Sequence, residues 1–182
     1  MALTATIFKV DLTISDMDRG YYATHALVLA RHPSETDERM MVRLLAFALN
    51  ADEALEFGKG LSNEDDPALC RKDLTGLIEQ WIDVGLPDEK SVRKACGRAR
   101  QVCIYTYVRS AAKWWQDNGD AMARPDNLTV IDLPAESTQA LAQLAERTMQ
   151  LQCTIQDGTA WITNGDKTVE IAPVVLSAAR RP

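Results

Sequence analysis

Residues 76–101 read GLIEQWIDVGLPDEKSVRKACGRARQ and hold a strand, a turn and a helix in direct succession. The first part alternates. Ile78, Gln80, Ile82 and Val84 fall on one side, and Glu79, Trp81 and Asp83 on the other. A period of two predicts a β-strand, because successive side chains of an extended chain leave opposite faces. A helix then follows, with Pro87 and Asp88 at its start. Val92, Ala95, Cys96, Ala99 and Cys103 recur at three and four residues, which predicts the buried stripe of that helix. A strand feeding straight into an amphipathic helix is a building unit of mixed α/β folds.

Further toward the N-terminus stands RHPSETDERMMVRLLAFAL, residues 31–49. Ser34 is placed to cap a helix, with Asp37 three residues on. Met41, Leu44, Leu45, Ala48 and Leu55 extend that amphipathic helix over about residues 35–56. Glu38 shares a face with Met41, Val42 and Leu45. A carboxylate near an apolar face is costly unless it is paired, hydrogen-bonded or bound to a metal. The plainer reading is a first-turn acid favoured by the helix dipole.

Before this helix, TIFKVDLTI (6–14) alternates as a half-buried strand, SDMDRG turns, and YYATHALVLAR returns as a second strand. The segment EFGKGLSNEDDPALCRKD is polar and turn-rich. Beyond residue 101 follow a β-rich run at 102–108, a helix bearing Trp114 and Trp115, a strand at 128–133 and a helix from PAESTQALAQLAERT. Gln-Asp-Gly and Asn-Gly-Asp mark two hairpin turns in the last third. No repeat and no boundary interrupts the pattern, so one mixed α/β domain over residues 1–182 is expected.

The bulk numbers narrow the function. A formal net charge of −6, from 26 acidic and 20 basic residues, argues against an indiscriminate binder of nucleic acid or membrane. A metal or a local basic patch can override that sign. No apolar run is long enough to cross a bilayer, and the N-terminus does not read as a signal peptide. A cytoplasmic protein with reduced thiols is expected from four cysteines with no C-x-x-C pair. Two histidines and no Cys/His cluster leave no zinc spacing. No G-x-G-x-x-G, Walker A or nucleophile elbow is present.

Acidic clusters are the chemical candidates. Glu79 and Asp83 share a strand face with Trp81, against the plain alternative of a solvated face. Four residues at ~3.3 Å rise set them about 13 Å apart, too far to share one ion without a bulge or bend. Asp73 or Glu38 would have to complete a site for a hard cation. Lys90, Arg93, Lys94 and Arg98 line the next helix and could position phosphates. Their plain alternative is a solvated face paired with nearby acids. Trp114 and Trp115, beside Lys113, read as core rather than as base-stacking residues.

Four stretches taken together, MALTATIFK, RHPSETDERMMVRLLAFAL, IEQWIDVGLPDEKSVRKA and RTMQLQCTIQDG, resemble the YaeQ family of bacterial proteins over nearly the whole chain. The resemblance implies a compact variant of the PD-(D/E)XK, restriction-endonuclease-like fold with added β-hairpins. It implies that Glu38 is the helix acid, that Asp73 or Glu79 serves the second motif, and that Glu79 or Asp83 serves the third. Asp73, Glu79 and Asp83 are then the candidate ligands of Mg²⁺ or Mn²⁺, which would activate the attacking water. The in-strand lysine of that superfamily is absent: Trp81 stands two residues after Glu79, and Gly85 two after Asp83. Lys94 would substitute from the following helix. Two functions follow from the resemblance: metal-dependent phosphodiester hydrolysis of nucleic acid, or a non-catalytic module that binds nucleic acid or protein through a degenerate nuclease site.

Overall fold

The computed structural model describes residues 4–59 and 65–180. In chain order its elements are β1 (Thr6–Asp16), β2 (Tyr21–Arg31), α1 (Asp37–Leu49), β3 (Leu55–Phe57), β4 (Leu69–Lys72), β5 (Ile78–Val84), α2 (Glu89–Arg98), β6 (Ala99–Thr106), α3 (Ala111–Met122), β7 (Leu128–Asp132), α4 (Ala135–Ala142), β8 (Thr148–Gln156), β9 (Thr159–Thr163), β10 (Thr168–Ile171) and β11 (Val174–Ser177). They make a mixed α/β fold with two sheets. The chain groups into two compact units, residues 1–51 with 136–173 and residues 52–135 with 174–182. The described helices include none long and apolar enough to cross a membrane.

The first unit holds a five-stranded sheet in the order β10-β9-β8-β1-β2. β1 and β2 form the expected hairpin, antiparallel from Thr6↔Arg31 to Asp16↔Tyr21. Phe8, Val10, Leu12 and Ile14 are buried while Lys9, Asp11 and Thr13 are exposed, which is the alternation of a sheet with one wet face. β8 lies parallel to β1 on its other side. The β8–β9 turn sets Asp157 at φ 51° and Gly158 at φ 76°, the left-handed pair a two-residue hairpin loop requires. Asp18 holds that turn, accepting the backbone N–H groups of Asp157 and Gly158 at 2.8 Å each.

α1 differs from the sequence expectation at both ends. Its cap is Thr36, whose hydroxyl accepts from the Arg39 N–H at 3.1 Å. Ser34 is committed elsewhere, 2.6 Å from His32 Nδ1. The helix stops at Leu49 because Asn50 turns back on it, giving its N–H to Phe47 and its side-chain amide to the Ala46 carbonyl. Leu55, expected on the last helical turn, opens β3 instead. Residues 40–48 are all buried, so α1 is covered on every side.

The second unit holds a six-stranded sheet in the order β11-β7-β6-β5-β4-β3. β3, β4 and β5 form an antiparallel meander. β5, β6 and β7 run parallel, with α2 and α3 as the crossovers that parallel strands need. Trp81, Val102, Ile104, Leu128 and Val130 from the sheet meet Val92, Ala95 and Met122 from the two helices in one core. The strand face bearing Trp81 is therefore packed against helices, and Trp81 is 3% exposed. The stripe predicted for α2 is divided: Ala99 and Cys103 belong to β6, where the backbone is already extended at Ala99. A spacing of four lies on one face of a helix and of a strand alike, so periodicity could not place that boundary. All four cysteines are free.

Candidate functional site

The acidic strand β5 is regular where it meets β6, with Gln80↔Gln101 through Val84↔Tyr105 in unbroken parallel register. Against β4 the register slips, because Arg71 faces Gln80 while Lys72 faces Ile78. Glu79 is the extra residue of that bulge. From Gln80 to Val84 the register is regular, so no bend in the strand folds Asp83 back toward Glu79. Glu79 leans toward Arg100, with Oε1 3.8 Å from Nη1. Asp83 does two structural jobs: Oδ2 accepts the Trp81 indole N–H at 2.8 Å, and Oδ1 accepts the Ala68 N–H at 3.1 Å.

The remaining candidates are held locally. Asp73 closes the β4–β5 turn, its Oδ1 accepting from the Thr75 hydroxyl at 2.6 Å, the Thr75 N–H at 2.8 Å and the Leu77 N–H at 3.0 Å. The Thr75 hydroxyl first, and then the backbone amides, hold the Asp73 carboxyl below the usual carboxylate range. Lys94 pairs with Asp65 at the surface and lowers that carboxyl in turn. Glu38 lies in the first unit, half-buried, where Oε1 accepts the Thr138 hydroxyl at 2.9 Å. The structure thus gives Glu38, Asp73, Glu79, Asp83 and Lys94 separate partners. Among the described residues no three His, Cys, Asp or Glu side chains are grouped to hold a metal ion.

The buried carboxylate beside α1 is Glu35, one residue before its cap, at 6% exposure. It faces Arg43, with Nη2 2.6 Å from Oε1 and Nε 3.0 Å from Oε2, and it also pairs with Arg39. Arg43 is 4% exposed and gives a further hydrogen bond to the Ala30 carbonyl at 3.1 Å. One signal could have found this pair: Arg43 is a lone charge in MMVRLLAFAL, and a buried guanidinium requires an acid.

Sequence patterning did not reveal the concavity on the shoulder of the second sheet. A pocket of about 450 Å³ is lined by Glu56 of β3, by Cys70 and Lys72 of β4, and by Lys59, Asp66 and Arg98. Phe57, Pro67, Ile78 and Trp81 supply its apolar wall. Arg98 lies over the Trp81 ring, 5.0 Å from its centroid, and donates to the Asp65 carbonyl at 2.7 Å. Burial pushes the Cys70 thiol up. Lys72 and Arg98 act on it in the opposite sense, and Glu56 and Asp66 reinforce the rise. Charges of both signs therefore act on a lining thiol that burial holds above its ordinary value.

The basic face of α2 is largely spoken for. Arg93 pairs with Glu89, Lys94 with Asp65, and Arg98 turns onto Trp81. Trp114 donates its indole N–H to the Pro87 carbonyl at 3.1 Å, and Trp114 and Trp115 are both partly buried against the core rather than inside it.

These features define a two-sheet mixed α/β protein whose second unit runs an antiparallel meander into parallel strands beside a polar pocket. The family model described as YaeQ protein matches residues 1–173. The chain is 47% identical to a YaeQ protein of Salmonella typhi over 184 residues, spanning 100% of this chain and 99% of that one. The Escherichia coli K12 YaeQ protein is 46% identical over 173 residues, 94% of this chain and 95% of the other. The crystal structure of YaeQ from Xanthomonas axonopodis pv. citri superposes with a TM-score of 0.94 at 52% identity, covering 96% of this chain and 99% of that chain. That from Pseudomonas syringae gives 0.92 at 34% identity, covering 97% and 98%. The chain belongs to the YaeQ family.

Proposed function

We propose that this protein is a nucleic-acid-binding module built on a PD-(D/E)XK-like scaffold whose cutting centre is degenerate. Support for the scaffold comes from the order β3-β4-β5-α2-β6, an antiparallel meander followed by a helix and a parallel strand. That order is compatible with a restriction-endonuclease-like core. Support for degeneracy comes from one observation: Asp73, Glu79 and Asp83 each go to different partners. The residues present do not fit a shared Mg²⁺ or Mn²⁺, so no hydrolytic step is assigned to them. The phosphates of a bound strand would meet Lys59 and Lys72 at the pocket, where the cations Lys59, Lys72 and Arg98 outnumber the acids Glu56 and Asp66.

The test is fluorescence anisotropy with labelled DNA and RNA oligonucleotides, run beside calorimetric titration of Mn²⁺ and a cleavage gel. Salt-dependent binding weakened at least tenfold in a Lys59→Ala/Lys72→Ala double variant, with no cleavage in Mg²⁺ or Mn²⁺, is the expected result. Absence of binding to any oligonucleotide would defeat the reading. A second reading, metal-dependent phosphodiester hydrolysis, is favoured by the surface position of Lys94, whose side chain and that of Asp65 are more than half exposed and able to part. Cleavage in Mn²⁺ that disappears in Asp83→Ala and Lys94→Ala would establish that reading in place of the first.

A further inference from the structure

The pocket of about 450 Å³ lies wholly within the second unit. That volume falls inside the range of ~300–1,000 Å³ that encloses a small molecule. Its wall offers two kinds of surface. Phe57 and Ile78 line it and are only half-buried, so each keeps apolar area for a ligand. Arg98 is fixed above Trp81, with its guanidinium 5.0 Å from the ring centroid and Nη1 donating to the Asp65 carbonyl at 2.7 Å. A guanidinium held in place is a flat cationic plate, and a planar group stacks on it. Three charges at the pocket remain unspent. The side chains of Glu56, Lys59 and Lys72 are exposed and make no ion pair or hydrogen bond with any described residue.

These groups match one nucleotide taken out of its stack. In a duplex each base is covered by its neighbours and shows a protein only its edges in the grooves. An unpaired base also shows its faces, which suit the surfaces of Phe57, Ile78 and Arg98. Lys59 and Lys72 then supply charge for the phosphate. Glu56 adds a choice among bases. A carboxylate accepts hydrogen bonds and donates none. Guanine presents two adjacent donors, N1–H and the N2 amino group, which one carboxylate accepts as a bidentate pair. Thymine and uracil present a single donor flanked by two carbonyls, which repel it. We infer, resting on the nucleic-acid reading above, that this pocket holds a single unpaired nucleotide, guanine ahead of thymine or uracil. The protein therefore prefers single strands to duplex.

Fluorescence anisotropy on the full chain tests this with three labelled ligands of about twelve nucleotides. They are a single strand of repeated TTG, the same strand annealed to its complement, and an all-thymine strand. The TTG strand should bind about tenfold or more tighter than its duplex and about fivefold tighter than the all-thymine strand. Free guanosine monophosphate should displace the TTG strand at concentrations where thymidine monophosphate does not. Glu56→Gln keeps the shape of an exposed side chain and removes its charge. It should bring the TTG and all-thymine strands within about twofold of each other while the preference over duplex persists. A carboxylate that merely repelled phosphate would let both strands tighten together and leave their ratio unchanged. A duplex bound as tightly as the single strand, or a strand ratio untouched in Glu56→Gln, overturns the inference and leaves the nucleic-acid reading in place. Absence of binding to all three ligands removes both.

Discussion

Arg43 is a buried arginine in an otherwise apolar helix, and Glu35 is the residue that makes it tolerable. Each ion lost most of its hydration on folding, and the pair recovers it through two close contacts and the Ala30 carbonyl. Removing one partner strands the other, so Glu35→Ala should lower stability by about 3–5 kcal/mol in urea titrations. Replacing both ions with apolar groups, as in Glu35→Leu/Arg43→Met, should cost far less. Asp73 gives a prediction in pH. Its carboxyl titrates lower in the folded chain than in the unfolded one. Its contribution is therefore complete above the unfolded value of about 3.9 and fades as pH falls through the lower folded value. Asp73→Asn should be less stable than wild type at pH 6, and the gap should narrow toward pH 2, read from urea midpoints. The sequence drew attention to Glu38 rather than Glu35 because helical projection works only inside a helix. The expected helix began at 35 and put Glu35 in its first turn, whereas the chain caps the helix at Thr36 and leaves Glu35 outside the helical projection.

At the level of elements, α2 offers the cleanest test. Its cap Asp88 accepts the Ser91 N–H at 2.7 Å, as the sequence predicted from Pro87-Asp88. Asp88→Ala should cost about 1 kcal/mol by thermal or urea unfolding. Trp81→Ala on β5 should cost more, about 3–5 kcal/mol, since it empties the centre of the second core and leaves Asp83 without its indole partner. Elements with strict alternation were legible: the β1–β2 hairpin, β5 and the Asp157-Gly158 turn all stand where the period or the turn residues put them. Two helix ends were not. The last turn of α1 and the last of α2 run into residues whose spacing suits either state, and tertiary hydrogen bonding decided between them. The pocket was illegible for another reason. Glu56, Cys70 and Arg98 lie far apart in sequence and meet only because β3, β4 and α2 are brought together.

Across the whole molecule, the four thiols divide by burial. Cys103 and Cys153 are both pushed up to about 12 by burial, while Cys96 rises to about 11 and Cys70 rises without being fully enclosed. A thiol reagent at pH 8 should label Cys70 and Cys96 slowly in the native protein, leaving Cys103 and Cys153 untouched until denaturant is added. Mass spectrometry of the labelled chain would check this site by site. Sheet order was the largest thing hidden from the sequence. Patterning finds strands but not their neighbours, and the union of β1 with β8 joins segments that the chain separates by five of the six strands of the second sheet. That union has a consequence for how the protein is made. Arg147 reaches Ile7, and the Asp157 turn reaches Asp18, across 140 and 139 residues. At a synthesis rate of ~5–20 residues per second, the first hairpin, finished at Arg31, waits roughly 6–25 s until its parallel neighbour is complete at Gln156. The continuous 52–135 segment emerges complete in the meantime. The N-terminal strands therefore present their apolar faces to the cell while most of the second sheet has already emerged, and a nascent-chain chaperone would find its target there first.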